Sequence, residues 1–122
     1  MRTGPLLQID PSAFVADPEL LRALVVRATK IHCEMERVLF RQGDPPAGLF
    51  IVVEGEVEVS MVSGTGRTIV CVRTGMGSLL GLPGVVGDQQ HTMTATAQAG
   101  ATVEFIGRED FINFMQSESM AG

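Results

Sequence analysis

Leu49 to Val72, LFIVVEGEVEVSMVSGTGRTIVCV, decides how this chain is read. Three runs rich in branched apolar residues are separated by Glu54-Gly55 and by the glycine turn GTGR at Gly64 to Arg67. Branched side chains favour extended backbone, and glycine reaches the positive φ that a tight hairpin demands. LFIVV is apolar throughout, whereas EVEVSMV alternates acid and apolar residues, the pattern of a half-exposed strand. With TIVCV, these runs predict three successive strands.

Working outward, TKIHC and RVLFRQG predict two more strands, the second leading into the turn GDPPAG at Gly43 to Gly48. Further upstream, Asp10-Pro11 and Asp17-Pro18 each pair an N-cap acid with proline at the first helical position. They predict a helical turn over 11–16 and an amphipathic helix over 18–28, with Leu20, Leu21, Leu24, Val25 and Ala28 on one stripe. Downstream, MTATAQ and ATVEFI read as strands, and GREDFINFMQ reads as a closing helix that packs Phe111, Ile112 and Met115 before a polar tail. The predicted class is α+β and mainly β: an eight-stranded antiparallel jelly-roll-like β-roll with short helices at both ends. Residues 1–28 form an N-terminal helical segment, 29–107 the β-roll with a cassette at 75–97, and 108–122 the start of a C-terminal helix and tail. At 122 residues all of this fits one domain.

Composition narrows the function. A net charge of −5 with nine scattered basic residues excludes a phosphate-neutralising surface, so no direct nucleic-acid binding is expected. No apolar run is long enough for a membrane span and no signal-peptide core is present, so a cytoplasmic location is expected. Cys33 and Cys71 have no CxxC spacing and are expected as buried thiols. His32 and Cys33 are neighbours on a strand, point to opposite faces and cannot share a metal. Neither metal nor cofactor is expected, haem at His32 or His91 included. Glu54, Glu56 and Glu58 are expected on one face of one strand as a solvated edge that discourages aggregation. With no Ser–His–Asp set, HxH motif or phosphate loop, an enzyme is not expected.

The cassette, GMGSLLGLPGVVGDQQHTMTATA, has the outline of an anion site. Gly75, Gly77 and Gly81 would let backbone N–H groups approach an anion beside a short helix start. Yet Arg73 is the last cation before Arg108, and Asp88 is the only formal charge in the cassette. Leu79, Leu80, Leu82, Pro83, Val85 and Val86 make it apolar, which supports three readings. They line a pocket for an uncharged effector, they plug the roll against residues such as Ile69 and Val72, or a weakened backbone anion site remains. His91, Thr92 and Thr94 either make a polar contact at the pocket mouth or satisfy backbone groups at a strand start.

RQGD at Arg41 to Asp44, LFIVVEGEVEV at Leu49 to Val59 and REDF at Arg108 to Phe111, with turn glycines Gly43, Gly55, Gly75 and Gly81, resemble the cyclic-nucleotide-binding domain family. The group it resembles within that family is the sensor domain of Crp–Fnr type bacterial transcription regulators, over roughly residues 15–116. The resemblance implies a β-roll that holds a ligand between its strands and the cassette. It further implies a glutamate after the cassette glycine and an arginine about ten residues later for the cyclic phosphate. Here Leu82 follows Gly81, and His91 with Thr92 stands at the arginine position. An arginine–phosphate pair is worth about 3–5 kcal/mol, or roughly 10²- to 10³-fold in affinity, so tight cyclic-nucleotide binding is not expected. The candidate ligand-binding residues are Gly81, Leu82, Pro83, His91 and Thr92. The expected role is the non-catalytic effector half of a Crp–Fnr type regulator with a non-standard or lost nucleotide site, taking a small-molecule effector and compatible with a homodimer. The alternative is a stand-alone, ligand-free β-roll that acts through protein contact or dimerisation.

Overall fold

The runs around Leu49–Val72 fold into the middle of two antiparallel sheets. The computed structural model describes residues 9–121, so the expectations for residues 1–8 and Gly122 lie outside the described residues. The strands are β1 (Thr29–His32), β2 (Arg37–Phe40), β3 (Gly48–Glu54), β4 (Val57–Val62), β5 (Thr68–Thr74), β6 (Leu79–Leu80), β7 (Thr94–Ala97) and β8 (Thr102–Gly107). One sheet has the order β1-β8-β3-β6 and the other β2-β7-β4-β5. The eight antiparallel strands match the expected roll, with β6 supplied by two cassette residues. A 3-10 turn (Pro11–Phe14) and the helices α1 (Pro18–Val25), α2 (Leu82–Gly87) and α3 (Arg108–Ala121) complete the fold.

Alternate residues of β3 serve two different cores. Phe50 and Val52 join Val57, Val59, Ala95 and Ala97 between the sheets. Leu49 and Ile51 face the opposite way and meet Leu24, Val85, Phe111 and Phe114 of the three helices. LFIVV therefore shows no alternation because neither of its faces is wet. β4 is covered on one side, with Val57 and Val59 buried and Glu58 and Ser60 only partly covered. Each large apolar side chain so buried contributes about 1.5–3 kcal/mol.

Both Asp-Pro signals start helices. Asp10 accepts a hydrogen bond from the Ser12 N–H, and Asp17 accepts one from the Leu20 N–H. However, α1 ends at Val25 rather than at 28. Adjacent β-branched Val25 and Val26 lose χ1 freedom in a helix, and the Arg27 side chain satisfies the Ala23 carbonyl at 2.7 Å. Leu24 is fully buried, while Val25 sits at the rim.

Two further expectations are corrected. Glu54 ends β3, Glu58 lies in β4, and Glu56 sits in the turn between them, so the three do not share one strand. Gly55 reverses the chain at φ +80°, and a Cβ there would lie 2.8 Å from the Ala101 Cα. Glu56 and Glu58 instead flank Arg73, each at 3.8 Å. Cys33 is buried as expected, but Cys71 is exposed on β5. It occupies an outward position between Val70 and Val72, where desolvation and the neighbouring Glu58 carboxylate push its thiol above its ordinary value.

Candidate functional site

The cassette folds as a strand, a turn, a short helix and a return loop. Leu79 packs with the helices, while Leu80 packs between the sheets. Gly81 follows at φ +94° and opens α2, with Pro83 in the first turn. Gly84 is buried against the return loop, and a Cβ on it would lie 2.9 Å from the Gln89 carbonyl oxygen and 3.2 Å from His91 Nδ1. The apolar run is thus divided. Leu79, Leu80 and Val85 are core, whereas Leu82 and Val86 are exposed. Of the expected plug partners, Val72 packs on the core that contains Leu80, and Ile69 belongs to neither core.

His91 is held by backbone and ring together. Its N–H donates to the Asp44 carbonyl at 2.9 Å, and its own carbonyl accepts from the Gly43 N–H at 2.7 Å. These bonds fasten the return loop to the RQGD turn. The imidazole stacks on Phe40 at 3.9 Å between centroids with 20° between planes. It is only 6% exposed, so His91 lies inside rather than at the mouth. Burial lowers its pKa from the ordinary 6.5, with Asp44 pulling weakly the other way, and the ring is uncharged at neutral pH. The other histidine, His32, is exposed and has Nδ1 2.8 Å from Thr102 Oγ1. Among the described residues neither ring nitrogen of His91 has such a partner. Thr94 accepts a hydrogen bond from the Gln42 backbone N–H, while Thr92 is exposed beside His91.

These elements enclose a cavity of about 430 Å³. Phe40 and Val59 form its sheet wall, Leu79 to Gly84 its cassette wall, and His91 to Met93 the return-loop wall. The fourth wall is Ala13 to Ala16 with Leu20. It is fastened by the Ala16 N–H donating to the Gly77 carbonyl at 3.1 Å and by a Val15–Ser78 bridge. Gly81, Leu82, Pro83, His91 and Thr92, the residues singled out from sequence, all line this one cavity. Sequence reasoning missed Phe40, Met93 and the N-terminal wall. The Asp10-Pro11 signal announces a turn there, but no pattern says what that turn covers.

No Lys or Arg lines the cavity. Arg108 approaches α2 from outside. Its Nε donates to the Val85 carbonyl at 3.1 Å, and its guanidinium lies 3.7 Å from Asp88 Oδ1. Arg108 therefore fastens the helix and does not open into the pocket. Among the described residues, no group of three or more His, Cys, Asp or Glu is placed to hold a metal ion. None of the described helices is long and apolar enough to cross a membrane.

A family model for the cyclic nucleotide-binding domain matches residues 30–118, well over half of the chain. The chain belongs to the cyclic nucleotide-binding domain family. Solved structures share this domain's fold. The c-di-GMP responsive global regulator CLP of Xanthomonas campestris superposes with a TM-score of 0.70 at 17% identity, over 84% of this chain and 50% of that one. The Thermus thermophilus catabolite activator protein gives 0.69 at 20% identity, over 90% and 52%. The N-terminal domain of a Streptomyces coelicolor transcriptional regulator gives 0.68 at 23%, over 91% and 79%. This cyclic nucleotide-binding domain spans about half the length of the first two. Comparison with curated protein sequences returns no match. Its N-terminal cavity wall, Ala13 to Ala16, lies ahead of the residues that the family model matches.

Proposed function

We propose that this domain is the effector-sensing half of a Crp–Fnr type transcription regulator, and that its cassette takes an uncharged, apolar effector in place of a cyclic nucleotide. The observation that carries the reading is the apolar cavity of about 430 Å³ beside the cassette, with no Lys or Arg in its lining. A cavity of that size is in the range of small-molecule sites, whose walls are mostly apolar with a few placed polar groups. A cyclic phosphate there would give up its hydration without a cation to replace it. The reading is non-catalytic and cytoplasmic, without direct nucleic-acid contact by this domain and with a homodimer as the working assembly. The alternative, a ligand-free interaction module, is supported by the exposure of Leu82 and Val86 on the cassette helix.

Calorimetric titration with cyclic AMP and cyclic GMP tests the proposal. No heat is expected with either nucleotide at millimolar concentration. A low-micromolar dissociation constant that disappears on replacing His91 or Thr92 overturns it. The two readings part when uncharged aromatic ligands are offered, because a ligand-free module takes none of them.

A further inference from the structure

The cavity contains one polar side chain that is nine-tenths buried and without a partner, and it is the imidazole of His91. Its ring face is occupied by Phe40, and its edge runs past Gly84 and Gly81 of the cassette. Leu79, Leu80, Pro83 and Met93 offer nothing that hydrogen-bonds through a side chain. Among the described residues no side-chain nitrogen is both fully buried and unpartnered, so the ring nitrogens of His91 open onto the cavity, where a ligand group can meet them. A neutral imidazole has one donor and one acceptor nitrogen, which suits a hydroxyl or carbonyl oxygen on an uncharged molecule. A carboxylate or phosphate would find one donor and no cation.

We infer that His91 is the specificity-determining residue of the cavity: it reads a single hydroxyl or carbonyl oxygen on a neutral, otherwise apolar effector. The inference rests on the proposed uncharged effector and adds what that effector must carry. Phe14, Phe40 and Met93 line the body of the cavity and suit a flat ring, since thioether and aromatic groups both pack well on aromatic faces. His91 differs in this from an arginine in the same place, which would select for charge.

Naphthalene, 2-naphthol and 2-naphthoate form a matched test series that varies only the polar group. Their fluorescence is read without protein background, because the chain contains neither Trp nor Tyr. The wild-type domain is expected to bind 2-naphthol about five- to tenfold more tightly than naphthalene, the size of one net hydrogen bond. 2-Naphthoate is expected to bind at least as weakly as naphthalene. His91→Phe keeps the stack on Phe40 and should bring naphthol and naphthalene to equal affinity, while His91→Gln, which keeps a donor and an acceptor, should retain part of the preference. His91→Leu serves as the second apolar variant if the melting curve of His91→Phe shows it unfolded. Equal binding of naphthol and naphthalene by the wild type, or a naphthol preference that survives in the apolar variants, overturns the role of His91 and leaves the apolar cavity standing. Failure of all three compounds to bind overturns the uncharged-effector reading itself.

Discussion

At the level of single residues, the cassette depends on side chains that are absent as much as on those present. Gly84 lets α2 lie against Gln89 and His91, and the 2.9 Å that a Cβ would leave to the Gln89 carbonyl oxygen cannot be relieved by rotating a side chain. Gly84→Ala is expected to cost about 1–3 kcal/mol, read as a lower denaturation midpoint. His91 carries a pH signature as well. Its folded-state pKa is lowered below the ordinary 6.5, so below that value the unfolded chain binds more protons than the folded one. Stability contributed by the neutral ring is complete above the ordinary value and is lost as pH falls through the folded one. Denaturation midpoints measured from about pH 7 down to about pH 5 should therefore fall more steeply for the wild type than for His91→Phe.

At the level of elements, α2 is held to the rest of the fold through Arg108, and its two contacts are unequal. The hydrogen bond to the Val85 carbonyl is part-buried, whereas Asp88 is three-quarters exposed and gains little from an ion pair in water. Asp88→Asn should leave the thermal midpoint nearly unchanged. Arg108→Ala should cost about 1 kcal/mol and speed amide exchange over residues 82–90, because a buried carbonyl loses its donor. Much of this level was legible in the sequence. β-branched runs between glycine turns mark the long strands, and the Asp-Pro pairs mark both N-terminal helical starts. β6 was not legible, since two leucines carry no periodicity and form a strand only because β3 offers an edge to pair with. Glu54, Glu56 and Glu58 misled for a related reason: their spacing fits one strand, and only the positive φ of Gly55 shows that the chain turns between them. The cavity was half legible. Its cassette wall is contiguous and was found, while Phe40 and Ala13 to Ala16 arrive from distant parts of the chain through tertiary packing.

At the level of the whole molecule, two cores share β3, and the helical one includes α3. Phe111 is 2% exposed in that core beside Leu49 and Ile106. Phe111→Ala should cost about 3–5 kcal/mol, a large share of the 5–15 kcal/mol typical of a domain, and guanidinium unfolding will measure it. The loss should reach the cassette, because Val85 of α2 sits in the same core. The N-terminal wall behaves differently. Phe14 packs on one core and Ala16 and Leu20 on the other, yet among the described residues the backbone ties of this strip to the roll run to Gly77 and Ser78. It also precedes the residues that the family model matches. The cavity thus draws one wall from outside the stretch that the family model matches and the others from within it. A lineage could reshape that one wall by rewriting a handful of residues around Ala13 to Leu20, while the sheet residues that form the opposite wall stay as they are.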